Sequence, residues 1–320
     1  MIPTAGGRIA VACAVSSCCA WLAPSMAAEP PLKLIVPYVP GGAVDGTARI
    51  IATEMSNATG RNVVVENRPG ASGMIAAEYL KRSPPDGSTL LIDTPAISMN
   101  PSVFRKPLYA PADVVPVAQI MSMPYLIAVA PGLQVQSYQD LVQRLKRAPG
   151  SMNAASSGTS SRLFAELFRL QTGTEFVNVN YSGAPPAILS VMKNESQLTA
   201  MDLANISSLV ASGKLKGILV SGRERAPSLP DVPSAVEVGL PGYDVTTWYG
   251  IFAPGGTPPA VIDKLNGEIR AAIRTKAVTG FLKVRDGMPV DQPASAFAAF
   301  FNNEVARWRD VVREARIQQE

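Results

Sequence analysis

Short apolar segments alternate with segments of helical periodicity along most of this chain, and that alternation limits the fold more than any other feature. In the first third, the apolar segments are residues 32–37, 63–66 and 89–93, each of strand length. Similar segments follow at 126–129 and 217–220, with further strand and helix pairs between them. Strands separated by helices form parallel sheets with both faces covered. The sequence therefore predicts an α/β protein with a largely parallel sheet.

The connections after the strands carry helix signals. The pair Gly41-Gly42 follows the first strand, and Asp45 is then predicted to open a helix that ends near Gly60. Ser72 is predicted to open a shorter helix in the next connection. The helices should therefore begin just after the carboxyl ends of the strands.

The C-terminal part predicts a strand at 248–253 and a long helix at 294–316. Along that helix, apolar residues recur at three- and four-residue spacing: Phe297, Phe301, Val305, Trp308 and Val312. A stripe of this kind packs on the core far more often than it binds a cofactor. We therefore expect the stripe to be buried, and no cofactor is predicted.

The first 28 residues predict an export signal. Arg8 precedes an apolar run at 9–22, and the small residues of "PSMAAE" follow before Glu29. We expect cleavage after Ala27 or Ala28, and a mature chain in the periplasm. No later segment approaches the roughly 20 uninterrupted apolar residues of a membrane span.

All three cysteines, Cys13, Cys18 and Cys19, lie inside this signal. The mature chain is therefore expected to have neither disulfides nor thiol chemistry. The "VSSC" stretch ending at Cys18 also resembles a bacterial lipoprotein site, although only loosely. Ordinary cleavage is favoured, because "SMAAE" is a good site and the apolar run before Cys18 would be short.

The composition excludes several kinds of chemistry. The chain contains no histidine, so Ser-His and Cys-His nucleophiles and most zinc sites are excluded. It also lacks a P-loop, a G-x-S-x-G elbow and a dinucleotide fingerprint, and no paired acids or metal ligands stand out. The net charge of +4 is mild, without basic runs that would suit nucleic acid. These features favour a binding protein over an enzyme.

Five stretches together resemble one known family. They are "KLIVPYVPGGAVDGTARIIA", "VVVENRPGASGMIAAEYL", "PPDGSTLLI", "NAASSGTSSRLFAELF" and "LPDVPSAVEVGLPGYDVTTWYGIFAPGGTP". In order and spacing they resemble the Bug-type solute-binding receptors of tripartite tricarboxylate transporters. The resemblance implies a bilobed periplasmic-binding-protein-like fold, with two α/β domains joined by crossing strands and a ligand cleft between them. The first domain would comprise residues 29–125 and 249–320, and the second 126–248.

The resemblance also implies how such a receptor works. One loop from each lobe grips a ligand carboxylate, and the matching loops here are 38–45 and 155–161, with 181–186 nearby. Glycine in such a loop lets backbone N–H groups approach an anion at a helix N-terminus. The implied ligand-binding candidates are Tyr38, Pro40, Gly41, Gly42, Ala43, Asp45, Ser72, Ser156, Ser157, Gly158, Thr159, Arg162, Ser182, Gly183, Ala184 and Asp202.

Several of these candidates have a purely structural alternative. Asp45 is favoured as a helix cap that also holds its loop in shape, and the Ser/Thr cluster of the second loop could simply cap a helix. Arg162 replaces a histidine that is common in the family. It would bind a second carboxylate if it faced the cleft, although a position facing solvent is slightly favoured. Arg68 is favoured as a structural residue that pairs with Glu66.

The resulting hypothesis is a monomeric receptor that closes on a small carboxylate and delivers it to membrane subunits of a transporter. One alternative keeps this fold but has the liganded receptor address a sensor kinase. Another is a hydrolase of a small carboxylate or phosphate ester that uses Asp45 or Asp202 with a metal. The identity of the carboxylate does not follow from the sequence.

Overall fold

The computed structural model describes residues 1–3 and 30–317. The predicted export signal and the alternative lipoprotein site at Cys18 lie outside the described residues. Ten strands occur in the described part: β1 (Leu32–Val36), β2 (Val63–Asn67), β3 (Thr89–Asp93), β4 (Val114–Val129), β5 (Asn153–Ser156), β6 (Val177–Asn180), β7 (Leu198–Asp202), β8 (Lys216–Val220), β9 (Thr246–Pro254) and β10 (Met288–Pro289).

Helices connect most of these strands. The α-helices of the described part are α1 (Ala43–Thr59), α2 (Met74–Lys81), α3 (Ala96–Val103), α4 (Tyr138–Arg147), α5 (Thr159–Thr172), α6 (Ala184–Met192), α7 (Leu203–Ala211), α8 (Pro259–Ile273), α9 (Lys276–Lys283) and α10 (Ala294–Glu314). None of these helices is both long and apolar enough to cross a bilayer.

The strands form one continuous sheet in the order β2-β1-β3-β9-β4-β7-β5-β6, with β8 and β10 also paired to β4. One parallel group, β2-β1-β3, lies at one end of this order, and a second, β6-β5-β7, lies at the other. The long strands β4 and β9 run antiparallel to each other and to their neighbours between the two groups. The prediction of α/β architecture is confirmed, but the sheet is mixed because the crossing strands are antiparallel.

Prolines account for two segments that the sequence did not predict. The strand expected at 126–129 is the last part of β4, which begins at Val114 and includes Pro116 and Pro124. Its register against β9 shifts after Pro116, as expected for a residue that cannot donate a ladder hydrogen bond. Helix α3 contains Pro101 and was also not predicted.

Two helix starts differ from their predicted positions. Helix α1 begins at Ala43, with Gly42 as its N-cap, so Asp45 lies in the first turn and does not open the helix. Helix α2 begins at Met74, because Ser72 belongs to a short 3₁₀ turn with a positive φ of 52°. In both cases the helix begins after a glycine rather than at the polar residue.

Helix α10 packs against the central strand β9 and against helix α5. Phe301 lies with Phe252 of β9 in one aromatic cluster, with ring centroids 5.2 Å apart, whereas Trp308 contacts Phe164 of α5 at 5.0 Å. Between these clusters, Glu304 Oε2 accepts a hydrogen bond from Trp308 Nε1 at 2.9 Å and one from Trp248 Nε1 at 3.5 Å. The prediction that the aromatic stripe is buried is confirmed.

Candidate functional site

The candidate residues follow the carboxyl ends of parallel strands in both lobes. Ser72 follows β2 of the first parallel group, here the first lobe, and it lines a small cavity together with Gly158, Thr159 and Arg162, which follow β5 of the second parallel group, here the second lobe. Val103, Leu163 and Asn180 complete the lining of this cavity. Ligands of open α/β sheets bind outside the carboxyl ends of strands, which is where this cavity lies. Four candidates from two lobes are therefore brought together.

The first loop is held in shape by Asp45. Its Oδ2 accepts hydrogen bonds from the Gly41 N–H and from Arg49 Nε, both at 2.9 Å, and its Oδ1 accepts one from Asn67 Nδ2 at 2.8 Å. The bond from the Arg49 side chain is the main cause that lowers the pKa of Asp45 to about 2. Asp45 therefore stabilises the loop with both of its carboxylate oxygens already bonded, but it is not the helix cap that was favoured, because Gly42 is the N-cap of α1.

The N-terminus of α1 lacks a side-chain cap among the described residues. The Gly41 N–H donates to Asp45 Oδ2, so the loop N–H groups that a ligand could bind begin at Gly42. Gly42 has an ordinary extended backbone, with φ −75° and ψ 171°, and a Cβ there would meet only the Val39 carbonyl oxygen at 3.6 Å. The fold therefore does not require glycine at position 42, whereas Gly41, with φ +85°, adopts a conformation that favours glycine.

Many polar groups of the second loop form hydrogen bonds with residues of the loop itself or of the adjacent strand and helix. Ser156 is fully buried and donates a hydrogen bond to Asn178 Oδ1. The Ser157 N–H donates to Ser161 Oγ at 2.6 Å, and the Gly158 N–H donates to Asn180 Oδ1 at 3.1 Å. These bonds favour a structural role for Ser156 and Ser157.

The N-terminus of α5 faces the cavity between the lobes. Its N-cap is Gly158, at φ +132°, and no side chain in the described part of the protein caps it. Thr159 and Arg162, one and four residues further along, line the cavity with Ser72. Arg162 thus has the cleft-facing position, which was the less favoured of its two predicted orientations.

Other candidates lie outside this cavity. The residues that line it do not include those of the first loop, nor Ser182, Gly183 and Ala184 before α6. Asp202 caps α7, where its Oδ1 accepts a hydrogen bond from the Asn205 N–H at 3.1 Å. Burial raises the pKa of Asp202. Its capping bonds supply a structural reason for an acid at this position.

Arg68 contacts residues of its own lobe. Its Nη2 lies 2.5 Å from Glu66 Oε1, and its guanidinium stacks 3.7 Å above the centre of the Tyr79 ring. The structural alternative for Arg68 is thus supported by its contacts. The same loop holds Ala71 and Ser72 at positive φ, a strained conformation that is common near functional sites.

Sequence reasoning missed Asp93, a buried acid beside the first loop. Tyr38 donates a hydrogen bond of 3.3 Å to Asp93 Oδ1, and its hydroxyl also lies 2.8 Å from Thr94 Oγ1. Burial raises the pKa of Asp93 to about 7. The available signal was the acid that ends the apolar strand "TLLID", which the sequence analysis treated only as the end of that strand.

Comparison with known proteins identifies the family. Residues 47–317 match the sequence profile of a family described as "Tripartite tricarboxylate transporter family receptor". The chain belongs to this receptor family. Members of the family are described as receptors rather than enzymes.

Individual relatives of the receptor agree with this result. This chain is 32% identical over 295 residues to Protein BugT of Bordetella pertussis, and the match covers 89% of this chain and 89% of BugT. The structure of the periplasmic binding protein BugD superposes with a TM-score of 0.79 at 28% identity, covering 91% of this chain and 99% of BugD. The structure of R. palustris Rpa4515 with adipate gives a TM-score of 0.80 at 32% identity, over 90% and 97% of the two chains. The predicted bilobed binding-protein fold and the Bug-type family are confirmed.

Proposed function

We propose that this protein is a periplasmic receptor that captures a small carboxylate by closure of its two lobes. The observation that carries the proposal is the cavity shared by Ser72 of one lobe and Gly158, Thr159 and Arg162 of the other. A ligand in this cavity would contact both lobes and would therefore favour the closed form. The adipate present in the Rpa4515 structure supports a carboxylate as the ligand class.

Two helix N-termini would supply the anion site. The first turns of α1 and α5 expose backbone N–H groups, and the helix dipole adds partial positive charge there. The absence of a side chain at Gly42, where the fold does not require glycine, supports close approach of a ligand to this backbone. Asp45, Ser156 and Asp202 would act by holding their loops in shape rather than by direct contact.

Arg162 extends the proposal to dicarboxylates. It lines the cavity in the first turn of α5, and a guanidinium can bind a carboxylate through two parallel hydrogen bonds. One ligand carboxylate would then bind the helix N-termini and the other Arg162. This arrangement favours a dianion over a monocarboxylate of the same length.

The remaining parts of the proposal rest on the family. The receptor would be monomeric, exported by its first 28 residues, and would deliver its ligand to membrane subunits of a tripartite tricarboxylate-type transporter. Its domains would comprise residues 29–125 with 249–320, and 126–248. The family description, which names a transporter receptor, supports delivery to a transporter more than the sensor-kinase alternative.

A thermal-shift screen tests the proposal. The purified protein is unfolded and refolded to remove bound ligand, and adipate, malate, citrate and hexanoate are then added in turn. A ligand at about 100 times its dissociation constant adds roughly 2.7 kcal/mol, or several degrees for a chain of this size. We expect at least one dicarboxylate to raise the midpoint and to be recovered unchanged.

Matched glycine variants provide the control. Gly42→Val should abolish the ligand shift while leaving the midpoint of the free protein nearly unchanged. Gly132→Val also adds a side chain where a Cβ would meet nothing within 4 Å, but it lies outside both candidate loops and should keep the full shift. Absence of any shift with all four carboxylates, or an equal loss in both variants, would contradict the proposal.

A further inference from the structure

Asp93 is a buried acid whose second oxygen lacks a partner. It is 1% exposed, and Oδ1 accepts a 2.7 Å hydrogen bond from the Thr94 N–H, whereas Oδ2 has no hydrogen bond within the described residues. Gly73 closes the space beside Oδ2, because a Cβ there would lie only 3.3 Å from that oxygen. A carboxylate in such a place loses its hydration without full compensation. Asp93 is therefore held in conditions that favour its protonated form.

Within the described residues, no cation is among the causes that set the pKa of this acid. The negative charge of Asp93 adds to burial in raising the pKa of two phenols, those of Tyr38 and Tyr109. Helix α3 has no ionisable residue, and β9 contributes only Tyr249. On β1, Lys33 lies opposite Thr89 at the far end of β3.

Most other charges of the surrounding elements form ion pairs. On α1, the end of β2, the loop before α2 and α2 itself, these pairs are Asp45–Arg49, Glu66–Arg68, Glu78–Arg82 and Lys81–Asp113, and Glu54 of α1 is the remaining charged residue. None of these groups is a cause of the raised pKa of Asp93, which comes from burial. The protonation of Asp93 is therefore set by burial, which raises its pKa, and by the hydrogen bonds from Thr94 and Tyr38, which lower it.

Tyr38 links this acid to the first loop, the part of the proposed carboxylate site that lies outside the cavity. A phenol has one proton to donate, and the Tyr38 hydroxyl lies 3.3 Å from Asp93 Oδ1 and 2.8 Å from Thr94 Oγ1. While Asp93 is ionised, its charge attracts the Tyr38 proton. Once Asp93 is protonated, Tyr38 can accept from the Thr94 hydroxyl and donate its own proton to an anion at the first loop.

We propose that Asp93 is a positioning residue of the carboxylate site, which takes up a proton from water when the receptor captures its anionic solute and thereby frees the Tyr38 hydroxyl to donate to that solute. This inference rests on the proposed function, in which the first loop binds a carboxylate. Ionised Asp93 would weaken anion binding for two reasons. The negative charges of Asp93 and of the bound carboxylate repel each other, and both groups compete for the single proton of the Tyr38 hydroxyl.

The expected effect is a loss of affinity as pH rises. With a pKa of about 7 in the free receptor, Asp93 must be reprotonated before capture at higher pH. If the complex keeps its proton throughout, the dissociation constant increases about 25-fold from about pH 6.5 to about pH 8.5. Adipate and malate are largely ionised across this range, so the ligand does not contribute to the change.

Calorimetric titration of the purified receptor with adipate and with malate tests the proposal. Titrations in phosphate and in Tris buffer, which differ in ionisation enthalpy, give the number of protons taken up per ligand. We expect uptake that approaches one proton near pH 8, and a 10- to 30-fold weaker dissociation constant at pH 8.5 than at pH 6.5. This readout on the unmodified receptor does not depend on the folding of any variant.

Three variants separate positioning from a merely structural role. Asp93→Asn keeps the shape and cannot ionise, so its affinity should not change with pH and its proton uptake should be near zero. Tyr38→Phe should bind more weakly at pH 6.5 and lose most of the pH dependence. Asp86→Asn, at an exposed turn before the other end of β3, should behave as the unmodified receptor.

The outcomes distinguish this inference from the proposed function. Binding of adipate or malate without proton uptake refutes the role of Asp93 and leaves the receptor function intact. An equal pH dependence in Asp93→Asn and the unmodified receptor also refutes it. If neither adipate nor malate binds at any pH tested, the proposed ligand class and this inference are both refuted.

Discussion

Replacing Asp93 by asparagine should remove a pH-dependent loss of stability from the free protein. Burial raises the pKa of Asp93 from 3.8 to about 7, so the folded state keeps a proton that the unfolded state releases. The contribution of a group with a raised pKa is fully present below the unfolded pKa and is lost as pH rises through the folded pKa. Stability should therefore fall between about pH 4 and about pH 7.

The size of this effect follows from the shift. About three pKa units at roughly 1.4 kcal/mol each correspond to about 4 kcal/mol, of which roughly 2 to 3 kcal/mol falls between pH 5 and pH 8. This corresponds to roughly 5 to 10 °C in midpoint for a chain of this size. The chain has no histidine, so no imidazole titrates in the same interval. Asp45 and Asp291, whose pKa values are lowered to about 2, are ionised throughout it.

The assay is urea unfolding of the ligand-free protein and of Asp93→Asn at half-unit steps from about pH 5 to about pH 8. The quantity compared is the slope of the unfolding free energy against pH. This comparison cancels the constant cost of the new amide and the contribution of Asp202, whose raised pKa has the same sign in both proteins. Parallel slopes in the two proteins would refute the argument, because Asp93 would then titrate as an ordinary acid.

Two further predictions concern other residues of the site. Arg162→Met should weaken adipate at least tenfold and change hexanoate less than threefold, because only the dicarboxylate has a second charge to lose; equal effects in calorimetric titration would contradict a contact with the second carboxylate. Asp45→Ala should lower the unfolding free energy at pH 7 by about 2 kcal/mol, because it leaves the Gly41 N–H, Arg49 and Asn67 without their shared acceptor. Since the pKa of Asp45 is lowered, its contribution to the unfolding free energy is present above about pH 4 and is lost as pH falls towards about 2. Urea unfolding of the unmodified protein and of Asp45→Ala should therefore show a smaller difference in unfolding free energy at pH 2.5 than at pH 7.

The parts of the fold that could be predicted are those in which local signals agree. Strand β3 has the predicted bounds, because a compact apolar segment lies between two turn signals. Segment 114–125 of β4 and helix α3 were missed because prolines contradict the local pattern, and tertiary pairing overrides them. Local sequence carries no information about such pairing.

The candidate site also has parts that the sequence could predict and parts that it could not. The position of Gly158 just before a helix could be predicted from the sequence, whereas α1 begins two residues before the predicted start at Asp45, with Gly42 as its N-cap. The orientation of Arg162 could not, because it depends on how α5 is rotated towards Ser72 of the other lobe. The burial of Asp93 also depends on distant residues, Tyr38 and Gly73, that only the folded chain places around it.

The two indoles that share Glu304 as a hydrogen-bond acceptor form an intrinsic fluorescent probe. Trp248 and Trp308 are the two tryptophans beyond the predicted signal, and both indoles donate to the same oxygen of Glu304. One indole belongs to a strand that crosses between the lobes, and the other lies against Phe164 of α5, the helix that begins at the candidate site. A movement of α5 relative to β9 would change the polarity around both emitters at once. The proposed closure of the two lobes would therefore be followed by intrinsic fluorescence, without any attached dye.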